Sequence, residues 1–131
     1  MTINWNGNLK VEKNQKIAIV ASKFNGPFTE KLVEGAKTAF LEYGGQSDNL
    51  EIVWVPGAFE APFMAQKMAK LKRFSAIVCL GAVIRGETTH YDYVCSEASR
   101  GISKVSLDYD LPVMFGTVSY THLTLPTILR V

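Results

Sequence analysis

The sequence predicts an α/β protein: a three-layer α/β/α sandwich around a central four-stranded parallel sheet. Three observations lead there. Short apolar runs rich in β-branched residues alternate with longer segments of helical period. The third run, Ala76 to Ile84, is apolar almost throughout, as strands covered on both faces are. Glycine and proline punctuate the joints between segments. An order of strand, helix, strand, helix, strand, helix, strand closes into such a sandwich through right-handed crossovers.

The elements follow in order. Ile3, Trp5, Leu9 and Val11 are sparse apolar positions in a polar lead. All are odd-numbered, which suits an extended arm over residues 1–13. Ile17 to Ala21 is a first buried strand, and Lys23-Phe-Asn-Gly-Pro27 is a turn. From Phe28 to Tyr43 the period becomes helical, with Phe28, Leu32, Ala36, Ala39, Phe40 and Tyr43 on one face. Gly44-Gly45 stops that helix. Leu50 to Val55 is a second strand, broken by Pro56-Gly57, and Ala58 to Leu71 is a helix. The third strand leads through a polar loop, Arg85 to Thr89, into a helix that ends at Tyr109. Pro112 introduces a fourth strand, Val113 to Phe115, which Gly116 is expected to close.

Composition narrows the function classes. A chain of 131 residues, 47% hydrophobic and 20% charged, is expected to form one domain, 1–131, with one core. A net charge of +2 gives no electrostatic footprint for nucleic acid or a membrane surface. The polar lead lacks the apolar core of a signal peptide, and no apolar run is long enough to cross a bilayer. A cytoplasmic location is therefore expected. The two cysteines, Cys79 and Cys95, form no CxxC pair and are expected as buried, reduced thiols.

In parallel α/β sheets, ligands sit outside the carboxyl ends of the strands. Here those ends carry Phe24-Asn25, Pro56-Gly57-Ala58-Phe59-Glu60, Arg85-Gly-Glu-Thr-Thr-His90 and Phe115, which are expected to converge on one crevice. Thr89 and Asp92 have capping-box spacing, so Thr89 is the expected N-cap and His90 the first helical residue. The free N–H groups and positive dipole end of that helix suit an anion. Gly86 permits close approach. The backbone of Gly86, Glu87 and Thr88 is thus a candidate phosphate cradle. The same dipole favours a neutral His90, able to accept a proton, while a bound phosphate favours the imidazolium. The sequence leaves that balance open. Taken singly, each residue has an ordinary reading: His90 on the surface, Phe24 and Phe115 in a core, Glu60 as a solvated charge near a helix start. Co-location at strand ends carries the argument.

Phe24-Asn25, Val55-Pro-Gly-Ala-Phe-Glu-Ala-Pro62, Gly81-Ala-Val-Ile-Arg-Gly-Glu-Thr-Thr-His-Tyr-Asp-Tyr-Val94 and Leu111-Pro-Val-Met-Phe-Gly116 resemble the motifs of the lumazine synthase family, in order and spacing. The likeness is expected to run from about Asn4 to Gly116. The resemblance implies a flavodoxin-like sandwich and one reaction. 5-Amino-6-(D-ribitylamino)uracil condenses with 3,4-dihydroxy-2-butanone 4-phosphate to give 6,7-dimethyl-8-ribityllumazine, phosphate and water. No metal or redox cofactor is required. By position, the resemblance implies that Phe24 stacks on the pyrimidine. Ala58, Phe59, Glu60, Ala82, Val83 and Ile84 contact the ring and ribityl chain, and Gly86, Glu87 and Thr88 hold phosphate. His90 moves protons, and Phe115 enters the pocket from a neighbouring subunit. It further implies a homo-pentamer or an icosahedral shell, with the N-terminal arm adding to a neighbour's sheet.

Residues 117–131 depart from the family pattern. The stretch holds no Asp or Glu and has a central Pro126, which opposes a continuous helix. The family carries an arginine for the substrate phosphate there. Leu129 falls near that position, and the role is not carried over to Arg130; His122 receives none. This tail is expected to be a frameshift, a sequence junction or a truncated end. The alternative function is then a non-catalytic family member that binds a ribityl-pyrimidine or flavin, or only assembles. A third reading, an unrelated flavodoxin-like sensor of a phosphorylated ligand, has only the fold class and the phosphate-ready loop behind it.

Overall fold

The computed structural model describes residues 1–84 and 90–120; for residues 83, 84, 90–92 and 117–120 the backbone alone is described. The elements are β1 (Ile17–Ser22), α1 (Gly26–Glu42), β2 (Leu50–Val55), α2 (Ala61–Lys70), β3 (Ala76–Ile84), α3 (His90–Tyr109) and β4 (Val113–Tyr120). Single 3-10 turns precede β2 (Ser47–Asn49) and α2 (Ala58–Glu60).

The four strands form one parallel sheet in the order β2-β1-β3-β4. From β1 the chain steps to one side for β2, then returns across β1 to place β3 and β4 on the other. With crossovers of constant hand, that reversal puts α1 on one face and α2 and α3 on the opposite one. The packing has this form. Ile19, Ala21 and Leu80 pack with Val33 of α1. Ala18, Val20, Ile77 and Cys79 pack with Ala65, Met68 and Ala69 of α2 and Ile102 and Val105 of α3. Alternate residues of each strand serve opposite layers, which is why β1 from Ile17 to Ala21 and the whole of β3 are apolar. The sequence-predicted three-layer sandwich is therefore the observed architecture.

Several local expectations need correction. α1 begins at Gly26, with Pro27 in its first turn, where a missing N–H costs nothing. Its buried stripe is Thr29, Val33 and Phe40, with Leu32 and Ala36 partly covered. Ala39 and Tyr43, expected on that face, are exposed. The stripe includes a threonine, so hydrophobic spacing alone set the face some degrees off. Cys79 is buried, but Cys95 is half-exposed on α3.

The largest difference is β4. Gly116 does not close it; the strand continues to Tyr120, paired with β3 from Ile77↔Val113 to Ile84↔Tyr120. β3 is nine residues long, and its ladder offers partners along that whole length. Gly116 is a packing glycine: a Cβ there would lie 2.9 Å from the Leu80 side chain.

Residues 1–16 carry no regular secondary structure, and Ile3, Trp5 and Leu9 are exposed. The arm is anchored where the Val11 N–H donates to the Tyr43 carbonyl at 2.8 Å. Gly44, at φ 109°, would place a Cβ 2.9 Å from the Val11 carbonyl. Glycine there permits both the left-handed turn and the arm's approach.

Candidate functional site

The strand order reverses between β1 and β3, and a crevice outside the carboxyl ends is expected at that switch point. β1 leaves the sheet through Lys23 to Asn25. The Lys23 N–H donates to the Val55 carbonyl at 2.7 Å and the Phe24 N–H to the Pro56 carbonyl at 3.0 Å. These bonds continue the β1–β2 ladder past both strands. They hold Phe24 at the rim with its ring 60% exposed. Asn25 then adopts a left-handed conformation, φ 58° and ψ 44°, which starts α1. Its Nδ2 donates to the Ala82 carbonyl on β3 at 3.3 Å.

β2 ends at Pro56-Gly57 and enters the 3-10 turn. The Glu60 N–H donates to the Gly57 carbonyl at 3.1 Å. Ala58 is buried, whereas Phe59 is 58% exposed and Glu60 is exposed. A Cβ on Gly81 would lie 3.3 Å from the Ser22 Cβ and 3.8 Å from the Ala58 Cβ. Small residues at 22, 58 and 81 thus bring the three strand exits into contact. Phe24, Ala58, Phe59, Glu60 and Ala82 gather at one end of the sheet. Ala58 and Ala82 are buried there, and Phe24 and Phe59 are exposed.

Two polar groups in this region were not singled out from the sequence. The Ser22 and Thr29 hydroxyls are buried without a hydrogen-bond partner among the described residues. Nothing in the sequence distinguishes a strand-end serine from a turn serine.

Val83 and Ile84 continue β3 opposite Ser119 and Tyr120. Gly86, Glu87 and Thr88 lie outside the described residues, as does Thr89, the expected N-cap. α3 does begin at His90; the His90 side chain lies outside the description. Phe115 does not sit at a strand end. It is mid-strand, opposite Cys79, because β4 continues past it. It packs beside the α2–α3 core and lines an open groove with Ile102, Ser106 and Leu107 of α3.

Among the described residues no group of three His, Cys, Asp or Glu side chains could hold a metal. No described helix is long and apolar enough to cross a membrane. Burial pushes the Cys79 thiol up to about 12, so it remains protonated and inert at neutral pH.

The fold is that of a doubly wound parallel α/β protein whose strand exits at the switch point bring together small buried residues and two exposed aromatics. Comparison with known proteins identifies which. Residues 14–124 match the family model of 6,7-dimethyl-8-ribityllumazine synthase. The 6,7-dimethyl-8-ribityllumazine synthase of Nautilia profundicola is 52% identical over 113 residues, 86% of this chain and 73% of that protein. Those of Campylobacter jejuni and of a Nitratiruptor species are 50% and 49% identical over the same shares. The chain belongs to the 6,7-dimethyl-8-ribityllumazine synthase family, whose members are transferases of riboflavin biosynthesis. The family match runs from residue 14 to residue 124, so it starts later than Asn4 and continues beyond Gly116, where the motif likeness was expected to stop. Among solved structures, SulA from Pseudomonas aeruginosa aligns with 83% of this chain and 75% of its own at TM-score 0.47 and 9% identity, too distant to bear on the site.

Proposed function

We propose that this chain is a 6,7-dimethyl-8-ribityllumazine synthase. It condenses 5-amino-6-(D-ribitylamino)uracil with 3,4-dihydroxy-2-butanone 4-phosphate. The observation that carries the reading is the family match over residues 14–124, with relatives at about half identity. The aromatic rim at the switch point supports it.

The amine of the pyrimidine attacks the ketone, and water leaves to form an imine. Loss of the C3 proton and of phosphate from C4 then leaves an enol, which tautomerises to a new carbonyl at C3; the ribitylamino nitrogen closes on that carbonyl, and a second water departs. Holding two reactants in register supplies most of the acceleration in such a condensation. Phe24 stacks on the pyrimidine. Ala58, Phe59, Glu60, Ala82, Val83 and Ile84 contact the ring and ribityl chain, with the two Glu60 oxygens accepting from polyol hydroxyls. Gly86, Glu87 and Thr88 hold phosphate at the start of α3, a 20-residue helix whose dipole favours an anion there. His90 moves protons between the amine, the departing phosphate and water. Phe115, away from the crevice of its own chain, serves a neighbour's site. The protein is a cytoplasmic homo-pentamer, alone or within a shell, with sites between subunits.

The test is lumazine appearance from the two substrates, read against a no-protein control. A rate well above control supports the activity. A rate equal to control, from folded protein that still binds riboflavin, favours the non-catalytic alternative and points to residues 117–131. His90→Ala is expected to slow turnover about ten- to a hundredfold, at or below the low end for positioned proton transfer. Full rate in that variant would remove His90 from the mechanism.

A further inference from the structure

We propose that Asn25 is a positioning residue, locking the Phe24 loop across the switch point so that the Phe24 ring stands at a fixed place over the crevice; this rests on the reading of Phe24 as the pyrimidine platform. Residues 25 and 82 are 57 positions apart in sequence, yet their hydrogen bond joins the β1 exit to β3. β1 pairs with β3 only as far as Ala21↔Leu80, while β3 runs on to Ile84. Beyond Leu80 the ladder therefore offers β3 no donor from β1. The Asn25 amide supplies one to Ala82 at that point, at 3.3 Å.

The residue type follows from two demands made at once. The backbone is left-handed, φ 58°, which glycine, asparagine and aspartate adopt most readily. The partner is a carbonyl, which only accepts, so the side chain must donate. Asparagine alone of these three meets both. Its role complements the two backbone bonds of the same loop. Lys23 and Phe24 are tied to Val55 and Pro56 on the β2 side, and Asn25 ties the loop to β3. Without it, Phe24 is held from one side of the crevice only. Asn25 touches no reacting atom in this scheme, so its loss falls on substrate binding rather than on the chemical steps.

Two variants separate the donor from the backbone. Asn25→Gly keeps the left-handed turn and deletes the amide. Asn25→Asp keeps side-chain size and tolerance of the turn but offers no donor to the carbonyl. Three quantities are read for each: KM for the ribitylaminouracil against kcat, melting temperature, and hydrogen exchange of the Lys23 and Phe24 amides in ligand-free protein. Both variants are expected to raise KM roughly threefold to tenfold, the loss of one ordinary hydrogen bond, with kcat within about twofold of wild type. Exchange at Lys23 and Phe24 is expected to quicken in both. Wild-type KM in Asn25→Asp would overturn the proposal, because the donor would then be dispensable. A fall in kcat at constant KM would overturn it too. Wild-type protein that makes no lumazine would remove the activity reading alone. Unchanged amide exchange in both variants would still overturn the lock by itself.

Discussion

At the scale of single residues, burial separates side chains that look alike in the sequence. Cys79 is fully buried and its thiol is pushed up to about 12, while Cys95 is half-exposed. A thiol reagent added to native protein is therefore expected to titrate one equivalent quickly, the second appearing only on unfolding. Two fast equivalents would contradict the burial of Cys79. Thr29 raises a different point. Its hydroxyl is buried and unpartnered among the described residues, and a hydroxyl in that state is destabilising. Thr29→Val keeps the shape and removes the polar atom. It is expected to leave stability unchanged or raise it by about 1 kcal/mol, read from urea unfolding. A loss of about 2 kcal/mol or more would mean that the hydroxyl has a partner. The sequence placed Phe24 in a turn after the first strand, and the structure has it there, exposed. The sequence did not disclose the bond from Asn25 to Ala82, since spacing carries no information about a partner so far along the chain.

At the scale of elements, close contacts outweigh propensity. α3 carries Gly101 in its interior, where alanine would ordinarily favour a helix by about 1 kcal/mol. A Cβ at that position, however, would stand 2.6 Å from the Pro62 ring at the start of α2. Gly101→Ala is therefore expected to lower stability by roughly 1–3 kcal/mol, as overpacking does; an increased melting temperature would refute that contact. A second tie joins β2 to the turn before β3. Arg73 donates to both Glu51 oxygens, at 3.0 and 2.7 Å. The hydrogen bond from Arg73 holds the Glu51 carboxyl below its ordinary range. A lowered folded-state pKa gives stability that is present above the unfolded value, about 4.3, and is lost as pH falls through the folded value. The pair is solvent-exposed, so the contribution is small. Melting temperature compared between pH 7 and pH 3 is expected to fall slightly less in Glu51→Gln than in wild type. An equal fall would show that the pair carries no pH-dependent stability. The boundaries of β2 and β3 were legible because turn and loop residues flank both mainly apolar runs. β4 was not, since Gly116 has the appearance of a terminator and only the length of β3 beside it reveals that the strand continues.

At the scale of the whole molecule, the protomer leaves large apolar residues uncovered. Ile3, Trp5 and Leu9 on the arm, Phe24 and Phe59 at the crevice, Phe63 on α2 and Leu107 on α3 are all exposed. The proposed assembly would cover residues of this kind. Sedimentation is expected to give a mass near five times the 14.5 kDa protomer or a larger shell, and deletion of residues 1–13 is expected to weaken that assembly. A stable monomer at micromolar concentration would overturn the proposed intersubunit site, and with it any role for Phe115 in a neighbour's pocket.

The sequence by itself determined the alternation of strands and helices, the parallel α/β class and, through the long Gly81 to Val94 motif, the family. Those features are written in local periodicity and contiguous residues. Only the tertiary structure decided that α1 covers one face while α2 and α3 cover the other. It also decided that β1 and β3 flank the switch point, that Phe115 lies mid-strand rather than at an end, and that the Asn25 amide reaches Ala82. Each of these depends on strand order and register. They are set by packing between segments far apart in the chain, and no window of neighbouring residues encodes them.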